Sequence, residues 1–305
     1  MNQPLITIAI PVYNNEKTIK KTIESSLLQD TEVLYEIVIV DDASDDNTPK
    51  ILSNYTDKKI RIITLKERVP LIANHNVCLK NALGKYILFC HADDTLEKHA
   101  IETLAKKIEQ RNFPDKYVVW GHSMFRDYFL QLKKAGFNTN ELISGEYASL
   151  LPMHGGLTPS GTCYSRESLL KLGGFMHVDI MLAPSDITTM LHLALHGFRF
   201  EMIDEMIFIR EDASTLTSET KANDFLEAYD DAYKYFMSAA SEKEIVGLLS
   251  TSTYLQDKPF YCYYSIAQDR RFIKKIKKII IRELIAHPLQ VKKKIVRKLL
   301  RRIFI

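Results

Sequence analysis

Cysteine is scarce in this chain. The four present, Cys78, Cys90, Cys163 and Cys262, are scattered and form no C-x-x-C pair. That spacing argues against a cysteine-built zinc site. Three of the four lie in or beside apolar runs, as buried free thiols of a reducing compartment do. Long apolar runs are missing too: no stretch approaches the ~18 uninterrupted apolar residues that a membrane span needs. The opening MNQPLITIAIPVYNN has no basic leader, and proline interrupts its apolar run, so it does not read as a secretory signal. The expectation is a cytoplasmic protein, or one held peripherally on the inner face of the cell membrane. No internal repeat recurs at a fixed period. A Gly-rich phosphate loop with a basic residue after the first strand is also absent, because PVYNNEK stands there. This counts against nucleotidyl transfer, the alternative enzyme class.

What is present suffices for a globular core. The 305 residues are 46% hydrophobic and 26% charged, enough for one large domain or a domain with an appendage. The first 95 residues alternate between two periodicities. LITIAIP (5–11), YEIVIVDD (35–42), KIRIITL (59–65) and KYILFCH (85–91) read as strands. Between them, 16–28, 45–55 and 73–83 read as helices, with Ile19, Ile23 and Leu27 spaced along one face of the first. Such alternation predicts a mostly parallel sheet covered by helices, with ligands bound beyond the carboxyl ends of the strands. Polar and acidic residues gather at those ends: PVYNN after the first strand, DDASDD after the second, HADD after the fourth.

Asp93 and Asp94 end an apolar run as adjacent like charges, which suits a hard divalent cation such as Mg²⁺ or Mn²⁺. The competing reading is that they cap the next helix, predicted over 96–110. As rim carboxylates, they are expected to contribute little to the core. Asp41 and Asp42 can accept hydrogen bonds from a nucleobase N–H or a ribose hydroxyl, although DDASDDNT is also rich in turn residues. Farther along, 116–124 begins as a strand, 154–175 combines a Gly-rich loop, a short strand and a helix, and 185–197 is a helix. Residues 198–210 read as two short strands.

PVYNN, VIVDDASDDNT and GKYILFCHADD, in that order, resemble the family 2 inverting glycosyltransferases of bacterial surface-polysaccharide type, whose fold is GT-A. The resemblance is strong over about 5–100 and resumes at SGTCYSRESLLKLGGF and SDITTMLHLALHGFRF, reaching about residue 205. It implies a Rossmann-like, mostly parallel central sheet flanked by helices, with a helical C-terminal extension. It implies transfer of a hexosyl or N-acetylhexosaminyl group from a nucleotide-sugar, with UDP favoured, to a glycan or lipid-linked acceptor hydroxyl. By this resemblance Pro11, Val12 and Tyr13 line the nucleobase pocket, and Asp41 and Asp42 bind uracil and ribose. Asp93 and Asp94 bind ribose or the Mn²⁺ or Mg²⁺ that bridges the diphosphate, and Asp186 is the base that deprotonates the acceptor.

Three positions depart from the family pattern. His91 stands where the first acid of the D-x-D is usual, and His75 replaces the arginine of an A-R-N triplet, leaving Asn74-His75-Asn76. Ser185 replaces the acid before Asp186. His75, Asn76 and His91 are carried forward as donor-side residues on this resemblance. The histidines also admit a catalytically silent relative as an alternative.

The charge is unevenly spread. Residues 270–305 hold 14 Lys and Arg against one acid, Glu283, for a net +13, while the rest carries −10. Phe272, Ile273, Ile276, Ile279, Ile280 and Leu284 recur at helical spacing. After Pro288, Val291, Ile295, Val296, Leu299, Leu300 and Ile303 do the same. Basic amphipathic helices of this kind lie in anionic membrane interfaces. The division expected is therefore a glycosyltransferase domain over 1–215, split near residue 100 into nucleotide-sugar and acceptor halves. A helical extension follows over 216–269, then a membrane-associating tail over 270–305 whose removal leaves the body folded. Nothing on the acidic body supports nucleic-acid binding.

Overall fold

The computed structural model describes residues 3–123, 127–134, 137–144, 160–176, 185–210, 270–286, 288–292 and 294–304, with a few isolated positions between them. The predicted extension over 216–269 lies almost wholly outside the described residues, as do Cys262 and half of the 125–160 segment.

The first half follows the predicted alternation. Strand β1 (Ile6–Val12) leads into α1 (Ile19–Leu27), β2 (Tyr35–Asp41), α2 (Thr48–Leu52), β3 (Ile60–Thr64), α3 (Leu71–Asn81) and β4 (Tyr86–Phe89). The four strands are parallel in the order β3-β2-β1-β4. The chain thus steps outward from β1 on one side and then crosses to its other side, and this reversal opens a crevice at the carboxyl ends of β1 and β4. Pro11 fits the central strand because of where β4 stops. The Cys90 amide donates to the Ala9 carbonyl at 3.0 Å, so residue 9 bonds toward β4. Residue 11 has the same orientation, and its missing N–H would point past the end of β4.

The second half is more mixed than the expected parallel sheet. It comprises β5 (Asp94–Leu96), α4 (Ala100–Gln110), β6 (Tyr117–Ser123), α5 (Asp127–Lys134), β7 (Leu142–Ile143), β8 (Thr162–Ser165), α6 (Arg166–Lys171), α7 (Ser185–Leu195) and β9 (Arg199–Arg210). Strand β8 enters antiparallel between β4 and β6, and β5 and β7 pair antiparallel with β9. Two sequence expectations change here. Residues 199–210 form one strand of 12 residues, which follows β6 through register shifts near His122. Asp94 caps no helix: it opens β5, opposite Arg210, and α4 starts only at Ala100.

Two apolar clusters fill the two faces of the sheet. Ile8, Ile10, Ile37, Ile39 and Leu88 meet α1 and α4 on one face; Ala9, Val38, Val40, Ile87 and Phe89 meet α3 on the other. Cys78, Cys90 and Cys163 are buried free thiols, as expected.

The tail forms α8 (Ile273–Ala286) and α9 (Lys294–Phe304). Much of its apolar stripe is covered by protein. Ile276, Ile280, Val296 and Leu299 are fully buried, and with Phe272, Ile279 and Ile303 they join the same cluster as the α3 face of the sheet. Each such side chain stabilises by about 1.5–3 kcal/mol, so removal of the tail strips the fold of core contacts, against the expectation of a dispensable segment. Among the described residues no helix is long and apolar enough to cross a membrane.

Candidate active site

The rim is built by loops stapled to one another. After β1, Asn14 adopts a positive φ of 51°, and its amide donates to the Ser44 hydroxyl at 2.9 Å. Its side-chain NH₂ donates to Asp45 at 2.6 Å, and the Asp45 amide donates back to the Asn14 side-chain oxygen at 3.0 Å. Asp46 accepts from the amides of Glu16 and Thr48 at 3.0 and 2.8 Å. Asp45 and Asp46 therefore hold the β1 and β2 loops together, which is the turn reading of DDASDDNT.

Asp41 and Asp42 do something different. Asp41 is fully buried at the end of β2; one carboxylate oxygen accepts from the Ser44 amide and hydroxyl, and the other, Oδ2, has no partner. Asp42 accepts from the Val69 amide at 2.8 Å, and burial raises its pKa. Val12 pairs with Asp41 across the sheet, and the ring of Tyr13 carries the Arg68 guanidinium 3.9 Å from its centre. Pro11, Val12, Tyr13, Asp41 and Asp42 thus meet at the adjacent carboxyl ends of β1 and β2. Arg68 was not legible in the sequence, because a cation over an aromatic ring leaves no spacing signal.

The second acidic turn, His91-Ala92-Asp93-Asp94, is closed by the Asp94 amide donating to the His91 carbonyl at 3.0 Å. Helix α1 and its N-cap pin it: the Thr18 and Thr22 hydroxyls donate to the Ala92 carbonyl at 2.8 and 2.9 Å. Thr22 also reaches the Asp94 carbonyl at 2.8 Å. His91, Asp93 and Asp94 each offer a ligand atom within 4.8 Å of the others. Asp94 is 1% exposed, and neither of its oxygens has a partner in good hydrogen-bond geometry, although the nearby Ser160 hydroxyl helps to lower its pKa. Arg210 approaches one of them at 3.7 Å, a long ion pair. Burial raises the Asp94 pKa, with His91 opposing. Buried orphaned carboxylates are costly, so an imidazole and two acids around such a group fit a divalent cation on the chemistry of the donor set. Asp94 is accordingly no surface group, contrary to the expectation that it adds little to the interior.

Two donor-side residues are set back from the rim. Asn76 has both ends of its amide engaged with the Phe175 backbone, donating at 2.9 Å and accepting at 2.8 Å. It clamps α3 to the turn after α6, where Gly174 has φ +88° and a Cβ would sit 2.2 Å from the Asn76 oxygen. His75 is 1% exposed and reaches the rim only through His91. Burial is the main cause that pushes its pKa down to about 3. Asp186 is the second residue of α7; its side chain lies outside the described residues.

A central α/β sheet whose strand order reverses between β1 and β4, with an acidic turn at that reversal, is the GT-A arrangement. S. aureus TarS (residues 1–349, with UDP-GlcNAc) superposes with a TM-score of 0.63 at 20% identity, over 90% of this chain and 83% of that one. Pyrobaculum calidifontis mannosyltransferase PcManGT, with GDP-Man and Mn²⁺, superposes with a TM-score of 0.60 at 17% identity, over 99% and 86%. At these identities the likeness establishes the fold. Residues 7–172, more than half the chain, match the model of Glycosyl transferase family 2, and the chain belongs to that family. Among curated relatives, the Escherichia coli β-1,3-glucosyltransferase WfgD, named for UDP-Glc and a GlcNAc-diphosphoundecaprenol acceptor, is 31% identical over 117 residues. That match covers 38% of this chain and 46% of WfgD. The chain spans less than half the length of several of the curated relatives it matches.

Proposed function

We propose that the chain transfers a hexosyl or N-acetylhexosaminyl group from a UDP-sugar, with inversion, to a hydroxyl of a glycan or lipid-linked acceptor in surface-polysaccharide synthesis. The observation that carries this reading is the pair of unpartnered buried carboxylates, Asp41 Oδ2 and the Asp94 oxygens, at the strand ends of the GT-A crevice. The family match favours glycosyl over nucleotidyl transfer.

In this proposal Pro11, Val12 and Tyr13 flank the uracil, and Asp41 and Asp42 accept from the base and the ribose. His91, Asp93 and Asp94 hold Mn²⁺ or Mg²⁺, which when bound supplies positive charge against the leaving diphosphate. Arg210 adds a fixed cation beside Asp94. The acceptor oxygen attacks the anomeric carbon in line as the bond to the β-phosphate oxygen breaks. Its proton passes to Asp186, and no covalent sugar–enzyme bond forms. WfgD, TarS and PcManGT support the donor class, the sheet and a cation by analogy alone.

Membrane attachment remains part of the proposal in reduced form, because much of the apolar stripe of the tail is buried. It rests on the outer side of α8 and α9, where Lys278, Lys298, Arg301 and Arg302 are exposed beside Ile281, Ile285 and Phe304. Flotation with phosphatidylglycerol liposomes at rising salt tests it: binding that weakens with salt is expected, and no binding at low salt contradicts it. The proposed location is cytoplasmic, on the inner membrane face.

The activity is tested by incubating the protein with UDP-, GDP- and dTDP-sugars and Mn²⁺, with and without lipid-linked acceptors. Release of UDP that rises with acceptor supports the reading. No nucleotide release from any donor would favour a silent relative.

A further inference from the structure

The two donor-side departures from the family pattern, His75 and His91, are in contact. His75 Nε2 lies 3.2 Å from His91 Nε2, and His75 Nδ1 lies 2.8 Å from the Leu71 carbonyl, one turn back in α3. A carbonyl oxygen only accepts, so His75 Nδ1 carries a proton. The ring is 1% exposed, stacked on Phe89 at 5.1 Å and edge-on to Phe175 at 6.0 Å. A second proton would place an imidazolium in an aromatic pocket, which is unfavourable without a counter-charge. His75 is therefore neutral, and its Nε2 presents a bare lone pair. His91 Nε2 must donate to it, because two lone pairs would otherwise oppose each other at 3.2 Å. A neutral His91 with its proton on Nε2 keeps its own lone pair on Nδ1.

We propose that His75 is a positioning residue for the donor-side cation. Through the Leu71 carbonyl and its own ring, it fixes His91 as the Nε2–H tautomer and leaves Nδ1 as the ligand atom beside Asp93 and Asp94. The inference rests on the cation-site reading above. It makes the ligand set one imidazole nitrogen with two carboxylates, in place of carboxylates alone. Imidazole suits transition metals better than Mg²⁺, so the site is selective for Mn²⁺ over Mg²⁺, and His91 is the residue that sets the preference. Partners that orient a ligating imidazole typically contribute about 10–100-fold in metal affinity.

The test is Mn²⁺ binding to the full-length protein in the presence of UDP, read from the electron paramagnetic resonance signal of free Mn²⁺. His75→Phe keeps an aromatic ring against Phe89 but offers no acceptor, and should weaken Mn²⁺ binding by about 10–100-fold. His75→Gln carries an amide oxygen near the place of Nε2 and should recover most of the loss. His91→Asp should narrow the gap between Mn²⁺ and Mg²⁺. Long-range ¹H–¹⁵N spectra of wild-type protein labelled in histidine report the tautomers directly, even if His75→Phe fails to fold. They should show His75 protonated on Nδ1 and His91 on Nε2. Failure of wild-type protein to bind Mn²⁺ with UDP overturns the underlying cation site. Binding by wild type that is unchanged in His75→Phe, or a His91 protonated on Nδ1, overturns the relay and leaves the cation site standing.

Discussion

Two acids on paired strands of one sheet are buried to the same depth and treated in opposite ways. Glu201, at the start of β9, is fully buried, and every neighbour is a partner. Arg111 donates to it through two nitrogens at 2.8 Å each, the Tyr117 hydroxyl donates at 2.6 Å, and Lys107 lies 3.6 Å away. Burial alone would raise its pKa, but Arg111 and Tyr117 more than offset this and hold it low. Asp94 faces the other end of the same strand, across from Arg210, with no well-formed hydrogen bond to its carboxylate and a raised pKa. The first arrangement is a clamp between α4 and β9. The second leaves a buried charge unsatisfied, which a stable fold retains only where something else is meant to satisfy it. Two carboxylates at the same depth thus separate scaffold from site.

Breaking the comparison on the Asp94 side should have the largest effect. Asp94→Asn should lower turnover by several kcal/mol of barrier, about 10³-fold or more. The metal-free protein should melt no lower than wild type, because a buried charge held only by one long ion pair has been removed. A large fall in melting temperature would show that Asp94 is structural. Next, Asp186→Asn should reduce turnover by about 10²–10⁴-fold while UDP affinity, measured by calorimetry, stays constant. Lost UDP binding would give Asp186 another role. On the Glu201 side the effects should invert. Arg111→Ala leaves a buried carboxylate with fewer partners and should cost about 3–5 kcal/mol of stability in urea titration, with UDP affinity of the folded protein unaltered. Smallest, Leu299→Ala in the tail should cost about 2–5 kcal/mol. No loss of stability there would mean that α9 does not belong to the core.

The sequence carried the first half of the fold because periodicity and turn chemistry agree there. Apolar runs, capping residues and the strand-end acids all point to one parallel sheet. Strand β5 escaped because Asp94-Thr95-Leu96 is three residues long and pairs with a strand more than a hundred residues away. The continuity of β9 escaped because Asp204 and Glu205 interrupt its apolar run, as a hairpin would. The rim acids were legible as a group, but not their division of labour. Only geometry shows Asp45 and Asp46 stapling loops while Asp41 and Asp94 keep oxygens unpartnered. The tail illustrates the same limit. Amphipathic spacing shows that an apolar face is buried, and is silent on whether protein or lipid buries it. His75 and His91, two separate departures in sequence, are one feature in space.

The central claim is that the orphaned carboxylate of Asp94, with His91 and Asp93, receives a divalent cation that joins the donor's diphosphate to the protein. Isothermal titration of UDP into the full-length protein, in Mn²⁺ and again in EDTA, tests it most directly. The account predicts that Mn²⁺ strengthens UDP binding by about tenfold or more, each tenfold being about 1.4 kcal/mol, and that Asp94→Asn abolishes this gain while retaining the weak metal-free binding. Equal UDP affinity in Mn²⁺ and EDTA, or a full Mn²⁺ effect in Asp94→Asn, would contradict it.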